Sequence, residues 1–248
     1  MSKIMVITGG SRGIGAATAL LAADRGFDVA INFASNQAAA DAVVGAIKAK
    51  GRRAFALKGD VASEPDMLKL FEACDKQLGQ LTCLVNNAGV VDVKSRVDEM
   101  SVARIKRMFD INVIGSMVCA REAVKRMSSK HGGAGGTIVN LSSAAARLGA
   151  AGQYVDYAAA KGAIDIFTLG LAREVANEGI RVNAVRPGII DTEIHASGGE
   201  PDRVGQSKGM VPMQRGGTAQ EIAHAILWLA SDESTYTTGA VIDATGGR

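Results

Sequence analysis

Tyr157 and Lys161 stand four residues apart in a run with helical spacing, which puts both side chains on one helix face. A free phenol has a pKa of about 10, too high for efficient proton transfer near neutrality. A neighbouring ammonium favours the phenolate and is expected to bring that pKa down. The pair reads as a proton carrier with its tuning charge. A second chemistry-bearing stretch lies at the other end of the chain, in Thr8-Gly9-Gly10-Ser11-Arg12-Gly13-Ile14-Gly15. Glycines at 9, 13 and 15 let the backbone turn tightly and approach a ligand closely. The helix that follows offers free N–H groups and a positive dipole end to a pyrophosphate. Asn112 sits in the apolar segment Met108-Phe109-Asp110-Ile111-Asn112-Val113, where a buried amide needs hydrogen-bond partners. His131, His195 and His224 have no metal-ligand spacing, and no carboxylate cluster resembles a metal site. We read His131 and His224 as surface residues and His195 as a candidate substrate contact.

These groups must be positioned by the elements between them. Short β-branched runs read as buried strands: Ile4–Ile7, Val29–Asn32, Ala54–Leu57, Cys83–Asn86, Thr137–Leu141, Arg181–Val185 and Ala240–Asp243. Segments of helical spacing alternate with them, at 16–25, 37–50, 65–77, 101–129, 155–177 and 218–231. Strands apolar on both faces, alternating with helices of this length, imply an α/β fold: a doubly wound parallel sheet of about seven strands with helices on both faces. Gly26, Gly51, Gly79, Gly132 and Gly179 each close a helical run before a strand, where a left-handed cap is wanted. No linker or composition break divides the chain, so one domain is expected over 1–248. The irregular, glycine- and proline-bearing stretch 187–217 reads as a substrate loop, its core at about 188–217.

Composition narrows the classes further. The chain has 248 residues, 47% of them hydrophobic and 21% charged, which excludes a disordered protein. Thirty glycines are scattered and not placed every third residue, which excludes collagen. The net charge is only +3, with no basic stripe and 4% aromatic residues, so no nucleic-acid partner is expected. Cys74, Cys83 and Cys119 are too few and too widely spaced for a disulfide framework, and read as reduced core thiols. Met1-Ser2-Lys3 leads into an apolar run too short for a signal peptide, and no 18-residue apolar span appears, so a cytoplasmic location with no membrane partner is expected.

The glycine spacing is G-x-x-x-G-x-G, not the dinucleotide G-x-G-x-x-G. Here the chain resembles the short-chain dehydrogenase/reductase family, and it does so along its whole length. Asp60-Val61 after the third strand, Asn86-Asn87-Ala88-Gly89 at the end of the fourth, Tyr157-Ala158-Ala159-Ala160-Lys161, and Pro187-Gly188 after the sixth match its motifs in order. The resemblance implies a Rossmann-type sheet and NAD(P)-dependent interconversion of a carbonyl and an alcohol. Tyr157 would be the acid in reduction and the base in oxidation, and Lys161 would also hold the nicotinamide ribose. The family serine falls in Leu141-Ser142-Ser143; we choose Ser143, with Ser142 the alternative because the segment 147–155 carries one residue more than usual. Asn112 would hold a water that links Lys161 to solvent. Asp60 and Val61 would contact adenine, Asn87, Ala88 and Gly89 would line the cofactor pocket, and Pro187, Gly188, Ile190 and Thr192 would lie along the nicotinamide and phosphates. Gly9, Ser11, Arg12, Gly13, Ile14 and Gly15 complete the cofactor set.

The end of the second strand, Asn32-Phe33-Ala34-Ser35-Asn36, lacks the acid that an NAD site commonly uses. Arg12 could pair with a 2′-phosphate and Ser35 and Asn36 could donate to it. NADP(H) is therefore expected, with NAD(H) possible. The resemblance further implies a homotetramer and a glucose-dehydrogenase-like or 3-oxoacyl-reductase-like subgroup. Three functions follow: an oxidoreductase for a small ketone, aldehyde or sugar; a 3-oxoacyl-[acyl-carrier-protein] reductase, with Arg147, Arg203 and Lys208 at the mouth to meet a carrier; or a non-catalytic NADP(H)-sensing protein.

Overall fold

The computed structural model describes residues 3–248; Met1 and Ser2, which open the run read against a leader, lie outside them. Seven strands form one sheet: β1 Lys3–Ile7, β2 Phe27–Phe33, β3 Ala54–Lys58, β4 Cys83–Asn86, β5 Gly136–Leu141, β6 Ile180–Pro187 and β7 Val241–Ala244. Their order is β3-β2-β1-β4-β5-β6-β7, and every neighbouring pair is parallel. This is the doubly wound sheet expected from the sequence. The period-2 geometry of a strand explains why its runs look continuously apolar. On β1, Met5 and Ile7 face one core layer with Ala19, Val43 and Ile226, while Ile4 and Val6 face the other with Leu70, Phe71 and Ala120.

Among the described residues, ten α-helices cover the two faces or bridge the loops. They are α1 Gly13–Asp24, α2 Gln37–Ala49, α3 Glu64–Gln77, α4 Val102–Phe109, α5 Gly115–Met127, α6 Ala145–Leu148, α7 Val155–Val175, α8 Ile194–Ser197, α9 Arg203–Ser207 and α10 Ala219–Leu229. Their starts are chemically marked. The Asn36 side chain accepts from the Ala39 N–H at the head of α2, Ser63 does the same for Asp66 on α3, and Thr218 and Glu221 cap α10 reciprocally. Gly26, Gly51, Gly79, Gly132 and Gly179 all have positive φ, as their caps require.

Two features differ from the sequence reading. The helix expected over 101–129 is two helices, joined through a π-helical turn at Asp110–Ile114 that carries Asn112. Such a wide turn inserts a residue into a helix, frequently at a functional site. The segment 187–217, expected to be irregular, contains α8 and α9 and is closed at its base. Asp191 N–H donates to the Gly217 carbonyl and Gly217 N–H to the Ile189 carbonyl, each at 2.9 Å.

The three cysteines are free and buried, and burial pushes each thiol up to about 12. They are core packing groups, not nucleophiles. Among the described residues no helix is long and apolar enough to cross a membrane.

Candidate active site

Strand order reverses between β1 and β4, which opens a crevice at their carboxyl ends. A cleft of about 620 Å³ lies there. The glycine loop forms one wall and is held from three sides. Asn87 Nδ2 donates to the carbonyls of Thr8 and Gly9 at 2.9 and 3.0 Å. The Thr8 hydroxyl accepts from the N–H groups of Asn87 and Ala88. From β2, Asn32 Oδ1 accepts from Gly9 N–H and Asn32 Nδ2 donates to the Gly59 carbonyl. Thr8 and Asn32 were not singled out by the sequence. Each reads there as an ordinary strand-end residue, and only the parallel register brings it against the loop.

The loop's glycines have no room for side chains. A Cβ on Gly15 would lie 2.3 Å from the Gly9 carbonyl oxygen, and one on Gly10 would lie 2.6 Å from Ile31. Gly9 and Gly13 also hold φ of +63° and +53°. The N-terminus of α1 has no acidic residue in its first turn and no side-chain cap, so its N–H groups remain for an anion. Arg12, Ser35, Asn36, Asp60 and Val61 line the adjoining wall. Asp60 is oriented by accepting from Ala62 N–H. The residues fit a dinucleotide: a cradle without side chains, a free helix end, and no carboxylate over 33–36.

The reacting end is built on β5 and α7. Lys161 is 4% exposed and its Nζ donates to the Leu141 carbonyl at 2.8 Å, leaving two N–H groups uncommitted. Burial pulls its pKa down to about 8, against the opposing pull of Asp165 one turn along. The Ser142 hydroxyl turns away from the cleft mouth and donates to the Lys161 carbonyl. Ser143 accepts from Ala145 N–H and lies close enough to Tyr157 to favour its ionised form. Within 147–155, Gly149, Ala150 and Gly152 hold positive φ.

Tyr157 does not follow the sequence expectation in its ionisation. Lys161 Nζ lies 5.7 Å from the Tyr157 ring centre, and loss of solvent raises the phenol's pKa, with the nearby Ser143 hydroxyl opposing it. Burial outweighs the ammonium because Lys161 is aimed at the β5 carbonyl and is itself desolvated. The consequence is a phenol that keeps its proton at neutral pH.

Asn112 is fully buried and pinned: its Nδ2 donates to the carbonyls of Val90 and Met108, and its Oδ1 accepts from Val90 N–H. Gly89 separates it from Lys161; a Cβ there would meet Asn112 Oδ1 at 2.7 Å and Lys161 Nζ at 3.4 Å. Asn86 braces the sheet, donating to Asn140 Oδ1 and the Ser116 carbonyl. Gly188 is forced by a close approach, since its Cβ would lie 2.8 Å from Thr245 Cα. Pro187, Ile190 and Thr192 line the cleft, and Thr192 packs beside Gly13.

The far wall belongs to the 188–217 segment and the start of α7. His195 lines it, its Nε2 hydrogen-bonded to the Ile190 carbonyl at 2.8 Å, and burial lowers its pKa. His131 and His224 are exposed. Of the mouth cations expected to meet a carrier, Arg147 is tied to Asp243 and Lys208 is exposed outside the cleft lining. Arg203 points inward, to Tyr154 and Gln153. Among the described residues no cluster could hold a metal.

Comparison with known proteins places this geometry. A family model described as enoyl-(acyl carrier protein) reductase matches residues 9–248. An uncharacterised oxidoreductase of Escherichia coli K12 is 54% identical over 245 residues, 99% of each chain. A 3-oxoacyl-[acyl-carrier-protein] reductase of Staphylococcus aureus is 36% identical over 247 residues, covering 100% of this chain and 98% of its own. A Burkholderia cenocepacia short-chain dehydrogenase solved in complex with NADP superposes with a TM-score of 0.91 at 32% identity, over 100% of this chain and 98% of that one. A Serratia marcescens short-chain dehydrogenase/reductase variant gives the same TM-score at 33% identity, with the same coverage.

Proposed function

Because the chain belongs to the short-chain dehydrogenase/reductase family of NAD(P)-dependent oxidoreductases, we propose that it reduces the carbonyl of a small ketone, aldehyde or sugar with NADPH, and runs the reverse oxidation. The observation that carries this reading is the convergence of Ser143, Tyr157 and Lys161 on one end of a cleft whose other end is the side-chain-free glycine cradle. Residues 1–248 act as one catalytic domain with 188–217 as its substrate segment.

The cofactor would lie with its pyrophosphate on Gly9, Ser11, Gly13, Ile14 and Gly15, its adenine by Asp60 and Val61, and its nicotinamide end along Asn87, Ala88, Gly89, Pro187, Gly188, Ile190 and Thr192. Arg12, Ser35 and Asn36 would hold the 2′-phosphate. Bound NADPH supplies the hydride. Ser143 donates a hydrogen bond to the carbonyl oxygen, where negative charge develops. Tyr157 delivers its proton to the same oxygen; its raised pKa keeps that proton in place at neutral pH. Lys161 binds the ribose hydroxyls with its two uncommitted N–H groups and returns a proton towards Tyr157. Asn112 fixes the Val90 backbone in the loop after β4 and would hold a water behind Lys161.

A relative named 3-oxoacyl-[acyl-carrier-protein] reductase is 36% identical, but here Arg147 is paired with Asp243 and Arg203 faces inward. That arrangement favours a small substrate over a carrier protein. A sensing role without turnover is disfavoured by the intact Ser143, Tyr157 and Lys161. A panel of carbonyl compounds followed by loss of NADPH absorbance tests the reading. The expected result is turnover of some small carbonyls, with NADPH bound more tightly than NADH in a titration. No turnover across the panel, or tighter NADH, would overturn it.

We further propose a homotetramer in the cytoplasm. Ile114 at the end of the π turn, Met117 on α5 and Ile166 on α7 are 49%, 38% and 71% exposed, apolar surface suited to subunit contact. Light scattering is expected to give four chains per particle; a monomer would sink this assembly. The location rests on the three free, buried thiols.

A further inference from the structure

Arg203, on α9, is partly buried in the wall of the cleft, yet its partners are neutral. One guanidinium nitrogen donates to the Tyr154 hydroxyl at 2.5 Å, another to Gln153 Oε1 at 3.0 Å, and the group lies 5.2 Å from the Tyr154 ring centre. Some cations around the cleft are compensated, Lys94 by Glu200 at 2.7 Å, Arg104 by Asp156 at 2.9 Å, and Arg147 by Asp243, whereas Arg203, like Arg12, Arg107 and Lys161 of the lining, is not among the described residues. For Arg203 no carboxylate lies within 4 Å of its nitrogens among the described residues. A partly buried guanidinium without a counter-charge, with donors still free, is placed to receive one from a ligand.

The neighbourhood is also aimed. Five N–H donors minus the two already used leave three on Arg203. The Tyr154 hydroxyl, 6% exposed as a residue, accepts from Arg203 and so has its own proton to give. Burial raises the pKa of Tyr154, which keeps that proton at neutral pH. Tyr154 caps the start of α7, one turn before Tyr157. Residues three apart on a helix are neighbours, with Cβ atoms about 5–6 Å apart. The two phenols also feel each other's ionisation.

We propose that Arg203 and Tyr154 form a carboxylate-binding end of the substrate site, so that the substrates are short oxo-acids whose carboxylate sits on Arg203 while their carbonyl reaches Tyr157 and Ser143. The inference rests on the carbonyl-reducing reading given above. In the reaction the carbonyl carbon accepts a hydride from bound NADPH, which leaves as NADP⁺, and the oxygen takes the Tyr157 proton, giving a hydroxy-acid. The carboxylate is unchanged. A planar guanidinium fork matches a planar carboxylate, and the one-turn spacing sets how far carboxylate and carbonyl can be apart. The Lys94–Glu200 pair bridges the rim of the cleft to the loop after β4 and keeps Glu200 from claiming Arg203.

The test has a kinetic and a binding arm. Acetoacetate and its methyl ester are compared as substrates of the wild type and of Arg203→Met, Arg203→Lys and Tyr154→Phe. In Arg203→Met the ratio of kcat/KM for acid over ester is expected to fall at least about 30-fold, mostly through KM, because truncating a buried charge contact costs several powers of two in affinity. Arg203→Lys keeps the charge but not the fork and should fall in between; Tyr154→Phe should lower the ratio several-fold with its ring intact. In the binding arm, calorimetry of the NADPH complex with malonate reads the site without turnover, and Arg203→Met is expected to weaken malonate at least about tenfold. Equal malonate affinity in wild type and Arg203→Met would overturn the proposal. So would an unchanged acid-to-ester ratio, or an Arg203-dependent affinity for inorganic phosphate but not for malonate. Absence of turnover with intact, Arg203-dependent malonate binding would count against the carbonyl-reducing reading and leave this site standing.

Discussion

Tyr157→Phe is expected to lower turnover by about 10³-fold while NADPH affinity changes less than about threefold. Proton transfer by a positioned side chain contributes typically 10²–10⁴ in rate, and Phe retains the ring beside Lys161 while removing the only proton it carries. The neighbouring serines sharpen the test. Ser143→Ala should cost about 10²-fold, as for loss of one donor to a developing oxyanion. Ser142→Ala should cost far less, because its hydroxyl is spent on the Lys161 carbonyl. Wild-type turnover in Tyr157→Phe with NADPH bound would show that the proton comes from elsewhere, and a larger loss in Ser142→Ala than in Ser143→Ala would reverse the serine assignment.

Lys161→Met should abolish turnover and, at pH 7, make the protein more stable. The folded pKa of about 8 lies below the unfolded value of about 10.4. Below pH 8 both states hold the proton, and the folded state carries a buried ammonium at full cost. Between about 8 and 10.4 only the unfolded state holds it, so stability rises with pH through that window. Methionine removes the charge at similar volume but leaves the Leu141 carbonyl without its donor. The net gain is about 1–3 kcal/mol at pH 7, or a rise in Tm of roughly 2–10 °C, and it should shrink as the pH approaches 10. A variant that melts below the wild type at pH 7, with the same pH dependence, would contradict the burial cost. The protein would then be an ordinary case in which the active-site charge is structurally neutral rather than a site kept at the expense of stability.

How much of this was legible in the sequence depended on whether the determining interaction is local. The five inner strands were readable because both faces of each are buried, and the helix ends because Gly26, Gly51, Gly79, Gly132 and Gly179 must take a left-handed φ that needs no distant partner; the edge strands β3 and β7 are only partly buried and were readable from their short apolar runs. The glycine cradle and the Tyr157–Lys161 spacing are likewise local. The π turn at Asp110–Ile114 was not readable, since one inserted residue barely disturbs an apolar periodicity. The direction of the Tyr157 shift was misread because an i,i+4 spacing fixes which groups are neighbours, not which of them loses more water. Arg203 was noticed as a basic residue, but its inward aim depends on Tyr154, 49 residues away. The tie from Asn32 to the glycine loop similarly needs the β1–β2 register.

The hydrogen bonds that join Ile189, Asp191 and Gly217 close the substrate segment at one point, so residues 192–216 leave the sheet and return to the same place. Strand β6 and helix α10 therefore sense little of what lies between. Lengthening such an excursion is inexpensive, about 0.6 kcal/mol for each doubling. Under the proposed function the excursion beyond Thr192 is an exchangeable cassette: substitutions or grafts within it would redirect which carbonyl is accepted while Ser143, Tyr157, Lys161 and the glycine loop, which lie outside it, are kept. In that reading substrate preference is separable from proton transfer in the course of evolution, because Ser143, Tyr157 and Lys161 lie outside the excursion.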